Sequence, residues 1–188
     1  MSTQANTRYN AIWSITEKEC KTMILSELMN GRTPSPAFEG FSTADDMVLA
    51  IDFTGEATDP NQFTVAQEGI TEQSGALSAQ TQDSQYLRTG QVTIKTGTSR
   101  SFTVTGDRYN GDAFQDAILS HAVKFGTGQA VIKPYVYFNM LTGKGERGSI
   151  SIAVEDDLSG AAGENASFSA TLTSTVKPTE YTYAPAQP

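Results

Sequence analysis

Along much of this chain every second side chain is apolar, and the ones between are mostly Ser or Thr. Phe63 and Val65 alternate with Thr64 and Ala66, and Val92 and Ile94 with Thr93 and Lys95. Phe102 and Val104 alternate with Ser101, Thr103 and Thr105, and Ile150, Ile152 and Val154 with Ser149, Ser151 and Ala153. Phe168, Ala170 and Leu172 again alternate with Ser and Thr. A period of two is the pleat of a β-strand, and it excludes an amphipathic helix at these positions. Each strand has one dry face and one hydroxyl face, as in a sandwich or a sheet lining an aqueous space. Composition agrees: 24 Thr and 16 Gly in 188 residues, with only 18% charged, disfavour a helical bundle. The predicted fold is mainly β (α+β), an antiparallel β-sandwich or barrel.

The alternation divides the chain unevenly. Residues 61–178 read as the regular core. Residues 1–60 read as an amino-terminal helix or arm with a first strand, and residues 179–188 as an extended, proline-bearing carboxy-terminal arm. In the first part, Ser14 and Glu17 form a capping box ahead of Cys20, Met23, Ile24 and Leu28, predicting a helix over 15–29. Gly31, Pro34 and Pro36 end it, residues 31–46 form a linker or wrapping loop, and Met47–Phe53 make a short strand. Residues 129–141 are almost wholly apolar and predict a strand buried on both faces, with Pro134 marking an edge or bulge. One flanking helix is predicted over 112–125. Asn110 or Asp112 caps it, Gly126 closes it, and Phe114, Ile118, His121 and Phe125 form its packing stripe. Residues 71–90 read as a long polar loop, 142–148 as a hairpin tip and 155–167 as a small acidic loop.

The chemistry-bearing residues are few. A net charge of −8 leaves no basic stripe with which to grip nucleic-acid phosphates. One cysteine, Cys20, excludes an internal disulfide and any CxxC metal site. The one histidine, His121, sits on a predicted apolar stripe, and its neighbour Ser120 cannot face it on a helix. Glu155, Asp156, Asp157 and Glu164 lack EF-hand spacing, and Thr142-Gly143-Lys144-Gly145 lacks the leading glycine of a phosphate loop. No constellation for an active site emerges, so the chain is read as a non-enzyme without cofactor or metal. No apolar run is long enough to span a membrane, and the amino end lacks a secretory pattern, which predicts a soluble protein of a reducing compartment.

The order of segments says more. Phe63-Thr64-Val65-Ala66-Gln67-Glu68-Gly69-Ile70-Thr71 is followed by a polar stretch ending Leu87-Arg88-Thr89-Gly90 and by the Val92 and Phe102 strands. Then come Gly106-Asp107-Arg108-Tyr109-Asn110-Gly111-Asp112, leading into the helix, and a late strand Ser167-Phe168-Ser169-Ala170-Thr171-Leu172. Over about residues 61–176 this resembles the major tail tube proteins of long-tailed, siphovirus-type bacteriophages. The resemblance implies a β-sandwich with a flanking helix whose copies form rings, hexameric in that family, stacked into a hollow tube. It implies a virion protein assembled in the host cytoplasm. Its partners are then itself and the tape measure, tail tip and tail terminator proteins, with DNA passing through the lumen unbound.

On that reading the candidates for an inter-subunit or inter-ring loop are Glu72, Gln73, Gln82, Asp83, Tyr86 and Arg88. The candidates for the lumen face are Thr93, Lys95, Ser101, Thr103 and Thr105, although Lys95 and neighbouring Arg100 fit an acidic lumen poorly. The 15–29 helix and the 31–46 linker either wrap a neighbour or form a lid on their own core. The inner tube of a contractile tail or a secretion-type machine is an alternative, as is a capsid-decorating or receptor- or glycan-binding sandwich.

Overall fold

The computed structural model describes residues 23–185. Eight antiparallel strands form one sheet: β1 (Met47–Ile51), β2 (Thr64–Val65), β3 (Ile70–Tyr86), β4 (Gly90–Asp107), β5 (Ile132–Asn139), β6 (Lys144–Ser159), β7 (Ser167–Ser174) and β8 (Thr179–Thr182). Their order is β2-β1-β5-β6-β7-β4-β3, with β8 pairing to β6. The fold is mainly β, with three short helices among the described residues: α1 (Leu25–Leu28), α2 (Ala113–Ile118) and α3 (His121–Lys124). The sheet curls on itself. Gln73 of β3, at one end of the strand order, donates its side-chain amide to the Met47 carbonyl of β1 at 3.2 Å.

Curling gives the sheet an inner face, and alternate residues of five strands meet there. Leu49, Phe102, Val104, Tyr135, Ile150, Ile152, Phe168 and Leu172 are all buried, and Phe114 and Ile118 of α2 close the core. Each buried Phe or Leu contributes about 1.5–3 kcal/mol by leaving water, so this cluster dominates stability. A second core lies on the opposite face of β1 and β5, where Val48, Ala50, Val136 and Phe138 meet Leu25, Met29 and Phe63. β1 and β5 are therefore covered on both sides, which is why the run through Tyr135–Phe138 is uninterruptedly apolar. Residues 128–131 form a 3-10 turn before it. β5 is also internal, between β1 and β6, not at an edge. Pro134 sits where this ladder stops: its carbonyl accepts from Asp52 N at 3.0 Å, it has no N–H to return to Asp52, and β1 ends at Ile51.

Several elements differ from expectation. The helix over 112–125 is broken at Leu119–Ser120, where Ser120 caps α3 by accepting from Val123 N. A side-chain hydroxyl that satisfies a backbone N–H competes with continuing the helix. The break turns Val123 inward in place of His121 and Phe125, which lie on the surface with their rings 4.8 Å apart. Of the helix over 15–29, only the turn Leu25–Leu28 and its flanks fall within the described residues; Ser14, Glu17 and Cys20 lie outside them. α1 packs on this chain's own second core through Leu25, which is fully buried. At the other end, Thr179–Thr182 pairs with Lys144–Arg147, and the rings of Tyr181 and Tyr183 pack on Phe138. The β5–β6 hairpin turns at 140–143, and β6 runs on through 155–159, so the acidic loop shortens to 160–166.

Candidate assembly surface

The largest departure is residues 71–90. The polar loop is a strand: β3 and β4 form a hairpin paired from Ile70–Gly106 to Tyr86–Gly90. β7 supports β4 only over Ser101–Asp107. Beyond that the hairpin continues as a two-stranded ribbon of about ten residues a side, roughly 33 Å at strand rise. Its exposed apolar side chains include Leu77, Tyr86, Ile94 and Leu87, the last 99% exposed at the tip. An isolated two-stranded ribbon is marginal in water, and its open edges are templates for pairing.

The base of the hairpin is held firmly. Buried Gln115, on α2, donates to the Glu68 and Asp107 carbonyls and accepts from Tyr109 N. Gly69 adopts φ +69° against this amide, and a Cβ on Gly106 would lie 2.4 Å from the Gly69 carbonyl oxygen. Both glycines are required by this close approach. Asp112 caps α2 by accepting from Gln115 N at 2.8 Å. Burial holds its carboxyl above the ordinary value, and nearby Asp116 and Glu68 push the same way. Arg108 pairs with Asp116, so the Gly-Asp-Arg-Tyr segment is a joint between hairpin, helix and the 160–166 loop, where Asn165 donates to Asp107.

Arg100 anchors the core's outer end. It forms a 2.7 Å ion pair with Glu146, and its guanidinium lies 4.4 Å from the Phe102 ring centroid. Tyr135 donates to the same carboxylate at 3.2 Å; burial raises its hydroxyl well above the ordinary tyrosine range, and burial raises that of Tyr137 too.

Register then sorts the candidates onto two faces. Ser101, Thr103 and Thr105 pair with Thr173, Thr171 and Ser169 of β7 and with Ala76, Ser74 and Glu72 of β3. Ser151 and Ala153 of β6 extend the row. The outer face of β6-β7-β4-β3 is thus a continuous field of small hydroxyl side chains, with Glu72 and Asp156 in register on it. Phe102, Val104 and Gln73 point the other way, to the core.

A bulge at Thr96 breaks this order. Gln80 pairs with Gly97 but Thr81 pairs with Lys95, so one residue of β4 is unmatched. One extra residue transfers every later side chain to the opposite face. Thr93 and Lys95 therefore lie not with Ser101, Thr103 and Thr105 but on the face of Arg100 and Phe102; Thr93 donates to Asp83 there at 2.6 Å. Ile94, Val92, Gln82 and Tyr86 occupy the hydroxyl side instead. The bulge inverts the ribbon: its near half is apolar towards the core, its far half apolar towards the outside. Arg88 stands in the tip turn.

Phe114 and Ile118 are fully buried under this hairpin, whereas His121 and Phe125 are exposed and do not serve as packing residues. Among the described residues no cluster of three or more His, Cys, Asp or Glu converges as a metal site, and no helix is long and apolar enough to cross a membrane. Sequence reasoning missed Gln115, although a glutamine between Phe114 and Ile118 was a visible signal. It also missed the β7 hydroxyls as partners of Ser101 and Thr103.

No protein-family pattern and no curated protein matches the sequence. The fold is similar to solved structures. One is a chain from the tail of an empty gene transfer agent particle refined with helical and C6 symmetry: TM-score 0.56, 17% identity, covering 76% of this chain and 100% of that one. A second, from the virion of a native gene transfer agent particle, has TM-score 0.55 and 16% identity, covering 74% of this chain and 98% of the other. At these identities the likeness is one of fold.

Proposed function

We propose that this chain is a structural tail tube subunit of the siphovirus type, polymerising as stacked six-membered rings into a hollow conduit for DNA. The observation that carries the reading is the ribbon over residues 77–99, a long strand pair with open edges and apolar side chains left exposed among the described residues. The fold shared with chains of a C6-symmetric tail supports it.

In a ring, the free edge of β3 in one copy pairs with β6 beyond Ser151 in the next, since β5 leaves β6 at that residue. Such a contact is heterologous and closes by rotation, and it removes the open edges. The hydroxyl field of Ser101, Thr103, Thr105, Thr171 and Ser151 then faces the lumen. Its charges in register, Glu72 and Asp156, are both negative, so phosphates pass without being held. Lys95 and Arg100 lie on the opposite face, which removes the conflict their charge posed. Tape measure, tip and terminator proteins are the expected partners at the tube's ends, within a virion assembled in the host cytoplasm.

Negative-stain microscopy of the concentrated protein tests this: hollow tubes or rings of uniform width are expected, and a permanently monomeric species would overturn it.

A further inference from the structure

We infer that Asn30 is a site of spontaneous backbone modification: the Gly31 nitrogen attacks the Asn30 side-chain amide, and the turn after α1 ages to aspartate and isoaspartate. This chemistry belongs to one turn and is independent of assembly.

Five asparagines lie among the described residues, and the structure separates them. Asn61 is buried, and its Nδ2 donates to Asp59 and to the Ala184 carbonyl. Asn139 donates to Ser42 Oγ and accepts from Leu141 N and Thr142 N. Asn165 donates to Asp107. These three side chains are tied down, and the residue after each carries a Cβ that crowds its nitrogen. Asn30 and Asn110 are exposed and precede glycines.

Asn30 lies just past the end of α1. Neither its side chain nor the Gly31 N–H has a hydrogen-bond partner among the described residues. Gly31 adopts φ +74°, and nothing lies within 4 Å of where a Cβ would stand, so the approach to its nitrogen is open. The next side chain, Arg32, is a cation. Around Asn110 the charges run the other way. Asp107, Asp112 and Asp116 outnumber Arg108 in that joint, and Arg108 is already paired with Asp116. The attacking form of an amide nitrogen is its anion, which a neighbouring cation favours and neighbouring carboxylates disfavour. Asn30 is therefore the faster site.

The Gly31 N–H proton passes to solvent, and the nitrogen's electron pair forms a bond to Asn30 Cγ. The Cγ–Nδ2 bond then breaks, and the amide leaves as ammonia after taking up a proton. The product is a cyclic imide. Water adds to one of its two carbonyls and breaks that C–N bond. Breaking the new bond gives aspartate; breaking the original peptide bond gives isoaspartate, whose main chain runs through the former side chain.

The consequence follows from what α1 covers. Leu25 and Met29 are buried in the second core, and the turn closes with Arg32 N donating to the Met29 carbonyl at 3.0 Å. Isoaspartate lengthens the main chain inside that turn, and either acid sets a carboxylate against the last carbonyls of α1. Aged protein should hold α1 less firmly on its core.

The test holds the full chain folded at mildly alkaline pH, then digests it and reads the peptides by mass and by isoaspartate-specific methylation. The Asn30 peptide is expected to gain the mass of an acid over an amide, with isoaspartate among the products, while the Asn110 peptide lags. The rate should rise with pH, because the attacking form is the anion. Asn30→Gln is expected to lose the modification, since its longer side chain must close a larger ring. The melting temperature should fall with age in the unaltered protein and hold in Asn30→Gln. A sample unfolded in urea and incubated alongside gives the rate of the unconstrained chain. An Asn30 amide that persists in the folded protein while the urea sample reacts, or an Asn110 peptide that turns acidic first, overturns the inference. An equal fall in melting temperature in Asn30→Gln overturns its consequence for α1.

Discussion

The two halves of the β3–β4 hairpin have the same backbone hydrogen bonding and opposite circumstances. From Ile70 to Ala76, and in the facing Ser101–Asp107, the strands are locked by β7 on one side and by Phe102 and Val104 in the core. From Leu77 to Ser99 the same ladder continues with no β7 partner, and none of its described residues belongs to either core. The contrast shows that strand pairing sets the shape while burial supplies the stability. It also shows that one bulge, at Thr96, decides which way each half presents its apolar side chains.

The sharpest way to break the comparison is to remove one apolar side chain from each half. Phe102→Ala takes out a fully buried ring packed edge-on against Tyr135 at 5.3 Å, and should cost about 3–5 kcal/mol in denaturant unfolding. Ile94→Ala, at 51% exposure, should leave monomer unfolding within about 0.5 kcal/mol while impairing polymer. Equal losses from the two would show that the far half is packed within its own chain.

The joint beneath the hairpin comes next. Gln115→Leu keeps the volume but orphans the Glu68 and Asp107 carbonyls and the Tyr109 N–H, and should cost about 2–3 kcal/mol. Hydrogen exchange should then quicken at Ile70–Gln73 and not at the tip. Inserting one residue between Gln80 and Thr81, which gives the unmatched Thr96 a partner, should have a smaller effect on the monomer, under about 1 kcal/mol, because the ribbon is solvated on both faces there. It would bring Thr93 and Lys95 to the Ser101 face and turn Ile94 away, so polymer should be lost although the fold survives.

These differences also explain what the sequence disclosed. Wherever one face is buried, as at Phe102–Val104, Ile150–Ile152 and Phe168–Leu172, alternation was visible and the strands were legible. The segment Gln73-Ser74-Gly75-Ala76-Leu77-Ser78 has solvent along most of its outer side, so no period was imposed on it and it read as a loop. The bulge was invisible for a different reason: a register exists only between two strands, and Thr93 alone cannot say which residue it faces. The helix break left its signal in Ser120, but on a helical wheel a cap and a surface serine coincide. Of the candidate site, the hydroxyl row Ser101, Thr103 and Thr105 could be read; its partners in β7 required the topology.

The smallest expected effect contrasts the ribbon with β8. That four-residue strand has a single ladder to β6, no more pairing than the ribbon, but Tyr181 and Tyr183 seat it on Phe138. Burial pushes the Tyr181 hydroxyl up to about 12, with Tyr183 and Asp59 acting the same way. A tyrosine whose folded value exceeds its unfolded one, near 10, binds more protons when folded across that window. Its contribution is therefore intact below about pH 10 and is lost as pH rises towards 12. Alkaline titration followed by hydrogen exchange and melting should loosen β8 in that range, and Tyr181→Phe should flatten the decline. Loosening that starts at the ribbon tip instead would mean that β8 is held by its ladder and not by its rings.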